Sequence, residues 1–309
     1  MGPYRLITRL DPPTSAVPCR RFVARTPDGG RTVLLSAPLP GTDPARFTAE
    51  AGAARHLLGP WIAPVTDVAE PTEPAAPAWS GPAWYASPYV PALPLPVALT
   101  VHGGPLPETT VRAVGAALAE ALAAAHSQGL THAGVSPAAV LLTSDGPRLT
   151  CFGAVRAAAA DGEPRTGLPG LDPGSLAPEQ ASGGRPRPPG DVFALGAVLA
   201  YAATGHTVPE REELPPALRQ VVSSCLARDP ADRPTAAAVM SALAPPTAHQ
   251  TVLNSAGALL TPGWLPGRVV AALARQSAEL LAAELPVVPE QAGPAGHADH
   301  AEPVTPVRT

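Results

Sequence analysis

The chemically capable side chains of this 309-residue chain are notable first for what is missing. All 21 basic residues are arginine, and the single asparagine is Asn254. Without lysine there is no Schiff base, no lysine phosphate anchor and no lysine general base. The three cysteines, Cys19, Cys151 and Cys225, are odd in number and far apart, so they suggest neither a disulfide framework nor a spaced zinc site. A reducing, cytoplasmic setting is the simplest for them. His297, Asp299 and His300 lie in a Pro/Ala/Gly-rich tail, read as a disordered segment rather than a metal site. A net charge of −4 gives no electrostatic footprint for nucleic acid.

The elements that must position these groups follow from composition and pattern. Hydrophobic residues make up 45%, enough for a core, and charged residues only 15%, against roughly 25% in ordinary soluble domains. The 43 prolines and 28 glycines must sit mostly in loops and tails. An Ala/Pro/Arg-rich chain without lysine fits a GC-rich coding sequence. Short strands are expected at 4–7, 21–25 and 32–35, with Asp28-Gly29-Gly30 turning between the last two. Asp43-Pro44 starts a helix over 45–58. Further strands are expected at 65–68 and 83–89, with a loop at 70–82. A helix over 107–126 carries Val111, Val114, Leu118 and Leu122 on one face. Strands at 140–142 and 148–150 flank Ser144-Asp145-Gly146, and 153–190 reads as loop. Helices follow at 191–204, 215–227 and 235–243. Past Pro245-Pro246, a linker leads to an amphipathic helix over 268–284, free to dock on the domain or on a partner. Residues 286–309 read as disordered. No signal peptide is evident in the first nine residues, and no run reaches the roughly 18 apolar residues of a membrane span.

Strands first and helices afterwards fit a two-lobed α+β protein, and at His132 the resemblance becomes specific. The stretch His126-Ser127-Gln128-Gly129-Leu130-Thr131-His132-Ala133-Gly134-Val135-Ser136-Pro137-Ala138-Ala139-Val140-Leu141-Leu142 resembles the catalytic loop of bacterial, actinobacterial-type Ser/Thr protein kinases. Cys151-Phe152-Gly153 stands in the place of the metal-binding Asp-Phe-Gly. Leu176-Ala177-Pro178-Glu179-Gln180 resembles the motif that closes the activation segment. Asp191 to Gly196 resembles the start of the buried helix after it, and Cys225 to Pro234 the penultimate-helix signature. The matches run in order over about residues 4–244. The resemblance implies a protein-kinase-like fold, α+β, with a β-rich N-lobe of about 1–95 carrying one main helix and a mostly helical C-lobe of about 96–244.

Positions that the family uses for architecture are retained. Glu179 and Arg233 are implied as an ion pair anchoring the activation segment, Asp191 as an acceptor of catalytic-loop backbone hydrogen bonds, and His132, Phe152 and Gly153 as packing positions. Glu50 is the implied helix carboxylate, left facing a cavity without an ammonium group. Positions used for chemistry are replaced: Ser36 for the strand lysine, Gly134 for the catalytic Asp, Ser136 for the lysine after it, Ala139 for the metal-binding Asn, and Cys151 for the metal-binding Asp. The glycine-rich loop is replaced by Asp11 to Cys19, which contains no glycine. Arg20, Arg21 or Arg31 could supply a cation in place of the lysine. Cys151 reads as a small buried hydrophobe, with a redox-sensitive thiol as the other possibility. Thr166 and Ser175 read as solvated loop hydroxyls within reach of an active kinase.

These losses lead to an expectation of a catalytically inactive domain, not an enzyme, acting as a protein-interaction or regulatory scaffold. No metal site and no cofactor are expected, with ATP and Mg2+ binding absent or weak. A protein partner is expected, such as an active kinase or another signalling protein, with no nucleic acid and no membrane span. Two alternatives stay open: a Ser/Thr protein kinase with non-canonical ATP binding, and a ligand-sensing module using the vacated cleft.

Overall fold

A computed structural model describes residues 1–12, 16–57, 59–69, 83–243, 260 and 263–284. The loop expected at 70–82, Asn254, the Pro245-Pro246 boundary, the tail and its His297, Asp299 and His300 lie outside the described residues.

The chain opens with strands β1 (Arg5–Arg9), β2 (Cys19–Arg25) and β3 (Thr32–Pro38), helix α1 (Pro44–Ala54), and strands β4 (Asp67–Val68) and β5 (Tyr85–Pro88). These strands form one antiparallel sheet in the order β1-β2-β3-β5-β4. The β2–β3 turn is set by Asp28, whose side chain accepts from the Gly30 N–H at 3.1 Å. Helix α1 starts where the sequence places it: Asp43 caps the Ala45 N–H at 2.9 Å, with Pro44 in the first turn.

The second lobe begins with β6 (Leu93–Pro94) and α2 (Leu95–His102), neither anticipated above. Three prolines between 91 and 96 obscure the pattern, yet proline is tolerated in a first helical turn. Helix α3 (Glu108–Ser127) follows, then the hairpin β7 (Val140–Thr143) and β8 (Gly146–Leu149), which pairs with β6. The 153–190 segment is not wholly loop: it holds α4 (Ala154–Ala158), α5 (Pro178–Ala181) and the first turn of α6 (Pro188–Thr204). Helices α7 (Pro216–Cys225), α8 (Ala236–Leu243) and α9 (Gly267–Glu284) complete the described elements.

The core sits in the helical lobe. From Val192 to Ala203, α6 is apolar on nearly every side and correspondingly buried. Gly115 lets it approach α3, since a Cβ there would lie 2.4 Å from a Leu199 methyl. Helix α9 docks on the domain. Val269, Ala272 and Leu273 join the main core, Gln276 Oε1 accepts from the Ala92 N–H at 3.0 Å, and Thr110 donates to the Trp264 carbonyl at 2.6 Å. Among the described residues no helix is long and apolar enough to cross a membrane.

Candidate active site

Below the cleft, the retained residues form a connected frame. Asp191, at the start of α6, is buried, and its carboxylate accepts from the backbone N–H groups of His132 and Ala133, each at 2.7 Å. The His126 ring lies 2.9 Å from the same carboxylate. These bonds hold the turn that leads into Gly134, where Ala133 adopts a φ of 50°. His132 is buried edge-on to Phe152 at 5.5 Å, and neither ring nitrogen has a protein hydrogen-bond partner. Burial pushes its pKa down to about 4, so it sits in the fold as a neutral ring.

Farther out, Glu179 and Arg233 meet in a two-point ion pair at 2.7 and 2.9 Å. Arg233 also donates to the carbonyls of Ala227, Arg228 and Pro189 and lies over the Phe193 ring. The activation-segment region has a second anchor that no motif announces. Arg165 is fully buried and donates to the carbonyls of Gln180, Gly184 and Ala160 and to Asp161. Thr166 beside it is exposed, whereas Ser175 is buried and donates to Asp172 rather than standing in solvent.

The cleft itself is rebuilt. Ser36, on β3, is buried and pairs in register with Arg21 on β2. The Arg21 guanidinium is fully buried; it donates to both Asp11 oxygens, at 2.9 and 2.5 Å, and to Thr150 Oγ1 at 3.1 Å. The Leu10 N–H bonds to the Arg21 carbonyl at 2.9 Å, which seats Asp11 alongside. Asp11 lines a groove of about 680 Å³ that also takes in Val17, Ala138, Asp172 and Tyr201.

Glu50 is not left without a cation. Arg156 of α4 reaches it at 2.6 Å, donates to the Thr131 carbonyl and lies over the Phe152 ring. That corrects the expectation of an unpaired carboxylate: the guanidinium comes from the far side of the cleft, 106 residues along the chain. Gly153 has a φ of 73°, in the left-handed region, and a Cβ there would sit 2.3 Å from Glu50 Oε2, so both the backbone and the packing favour glycine.

Gly134 removes more than a carboxylate. A Cβ at this position would lie 1.9 Å from the Cys151 carbonyl oxygen, so the backbone has closed over the site. Ser136 caps the short turn 137–139, accepting from the Ala139 N–H at 3.3 Å. The resemblance implies magnesium at positions 139 and 151. Ala139 has no side-chain donor and Cys151 offers sulfur, so these residues do not fit that hard ion. A carboxylate nevertheless lies nearby: Asp172 shares a small cavity with Gly134, Ser136 and Ser175, and also lines the large groove.

A β-rich lobe and a helical lobe, joined at a cleft with this loop-and-segment arrangement below it, define a protein-kinase-like domain. No family model matches the chain. It is 36% identical over 265 residues to the probable Ser/Thr protein kinase PkwA of Thermomonospora curvata, covering 79% of this chain and 34% of that protein. It is 32% identical over 292 residues to the Ser/Thr protein kinase AfsK of Streptomyces coelicolor, covering 87% and 35%. The chain thus spans about a third of the length of these curated relatives. The crystal structure of the Mycobacterium tuberculosis PknI kinase domain superposes with a TM-score of 0.59 at 26% identity, covering 78% of this chain and 95% of that one. The chain belongs to the bacterial Ser/Thr protein kinase family.

These relatives overturn two expectations: that the chain is a catalytically inactive interaction or regulatory scaffold, and that it is not an enzyme. The proteins it resembles are named as Ser/Thr protein kinases, which favours the kinase alternative over both. Other elements bring groups to the same cleft: Arg21 from β2, one of the three arginines the sequence offers as a replacement cation, and Asp172 from the segment before α5.

Proposed function

We propose that this chain is a Ser/Thr protein kinase that holds ATP through a non-standard set of groups. The observation that carries the reading is Arg21, a buried guanidinium on β2 directly opposite Ser36, where the resemblance calls for a lysine. Similarity to named kinases along most of the chain supports it. In this reading Arg21 binds and orients the nucleotide phosphates. The acceptor hydroxyl enters the groove, its oxygen bonds to the γ-phosphorus, ADP leaves, and Asp172 takes the hydroxyl proton. No step is routed through a metal at positions 139 and 151.

Nucleotide binding is weak in this reading. Asp11, not Arg21, lines the groove, so phosphate must displace the Asp11 carboxylate to reach the guanidinium. Like charges held 4 Å apart cost about 4 kcal/mol at an effective dielectric of about 20. The protein partner is the acceptor, nucleic acid has no role, and the free thiols suit a reducing cytoplasm.

The test is phosphate transfer from labelled ATP to a Ser/Thr peptide library by the purified chain, with magnesium and with manganese. Transfer should fall about 10²-fold or more in Asp172→Asn while the melting temperature stays unchanged. Absence of wild-type transfer at millimolar ATP with either metal would overturn the reading.

A further inference from the structure

Cys19 and Cys151 lie 132 residues apart in sequence, yet their sulfurs stand 3.8 Å apart between the lobes. Both are free and nearly fully buried, at 2% and 5% exposure. We propose that these two thiols are a redox-modification site, closed to a disulfide by a hydroperoxide such as hydrogen peroxide and reopened by a dithiol reductant. The bond would tie β2 to the segment that follows β8, across the cleft beside Arg21 and Asp11. The pairing stands on the sulfur geometry, and does not depend on whether the chain transfers phosphate.

Four features distinguish this pair from buried cysteines that merely fill space. The sulfurs already approach van der Waals contact, so bonding needs a closure of less than about 2 Å to reach a normal S–S length. Cys151 sits at a φ of 64°, in the left-handed region where a non-glycine residue is strained. Its sulfur is 3.4 Å from the Thr150 hydroxyl, which in turn accepts from Arg21. Small cavities of about 20 Å³ flank it, one lined with Cys19, Glu50 and Phe152, the other with Ser36 and His132. Such a volume admits a molecule about the size of water. The contact with Cys19, followed by the Arg21 charge and the Thr150 hydroxyl, favours the thiolate at Cys151 against burial, while Cys19 retains its proton. Cys225 is the internal contrast: buried, and with its thiol pushed up to about 12 by burial.

The chemistry balances. The Cys151 thiolate attacks one peroxide oxygen, the O–O bond breaks, and hydroxide leaves to be protonated to water. Cys19 then attacks the sulfenic sulfur; its thiol proton goes to the departing hydroxide. Two thiols and one hydrogen peroxide give one disulfide and two waters.

The test treats the full chain with hydrogen peroxide, alkylates it under denaturing conditions and maps the peptides by mass spectrometry. The expected product is a Cys19–Cys151 linked peptide, two hydrogens lighter than its reduced parts and reversed by dithiothreitol, with Cys225 still alkylated. Cys225→Ser should leave the link intact, whereas Cys19→Ser and Cys151→Ser should each abolish it. Oxidation should raise the melting temperature by about 5–10 °C. Recovery of all three alkylated thiols from oxidised wild-type protein, or conversion of Cys151 to sulfinic acid without a link, would overturn the proposal. Both readouts are independent of phosphate transfer, so failure here is distinct from failure of the kinase reading.

Discussion

The frame beneath the cleft and the cleft itself are both built from buried charge, yet their partners differ in kind. Asp191 is satisfied by backbone N–H groups of His132 and Ala133, which every side-chain substitution leaves in place. Arg21 is satisfied chiefly by another side chain, Asp11, which can be removed with it. A carboxylate holding backbone is difficult to replace without leaving buried donors unpaired. A side-chain ion pair can be exchanged as a unit. This difference offers a physical reason for Asp191 to be kept, while Glu179 and Arg233 of the same frame are held to each other as a side-chain pair.

The largest effect should come from Asp191→Ala. It strands two buried N–H groups and should cost about 3–5 kcal/mol in urea unfolding. No second substitution among the side chains near it should restore the loss. If a neighbouring apolar substitution recovers most of it, the proposed contrast breaks.

Arg21→Leu should cost a similar amount, about 3–5 kcal/mol, because it leaves Asp11 buried without its cation. Here the double substitution with Asp11→Leu should recover most of the stability. A double-mutant cycle showing simple additivity would place the cleft in the same class as the frame.

His132 sharpens the comparison through pH. Its folded pKa of about 4 lies below the ordinary 6.5, so the unfolded chain binds its proton first as pH falls. Stability carries no penalty from this ring above about pH 6.5 and is lost progressively on acidification toward pH 4, by about 3 kcal/mol in all. His132→Leu should flatten that part of the stability profile relative to wild type. An unchanged acid limb would show that the ring is not held neutral.

Glu50→Gln should have the smallest effect. Its partnership with Arg156 is partly open to solvent, with side-chain exposures of 19% and 25%, so the loss should be at most about 1 kcal/mol. A larger loss would make this pair part of the frame.

Much of the frame was legible because its residues recur in order along the chain. Glu179, Asp191 and Arg233 were singled out from short motifs, and the structure brings Glu179 and Arg233 together at 2.7 Å. Turn chemistry located both hairpins, and the Asp43-Pro44 start located α1. The cleft was far less legible. Nothing in the spacing of Arg21 marks it as the partner of Asp11, and nothing in Arg156 or Arg165 marks either as an anchor. Their partners are a carboxylate 106 residues away and several backbone carbonyls. Asp172 lies in no recognisable motif, and only the fold places it beside Gly134 and Ser136.

Sequence alone established the longer helices and the hairpins in their order, the absence of lysine, and which familiar positions carry new residue types, since these are properties of local pattern and composition. Only the folded chain decided what took their place. The packing of Gly134 against the Cys151 carbonyl and the Arg21–Asp11 pair join neighbouring segments, whereas the Glu50–Arg156 pair and the contact between Cys19 and Cys151 join segments 106 and 132 residues apart. Which of them meet depends on how the two lobes close, and no local propensity encodes that.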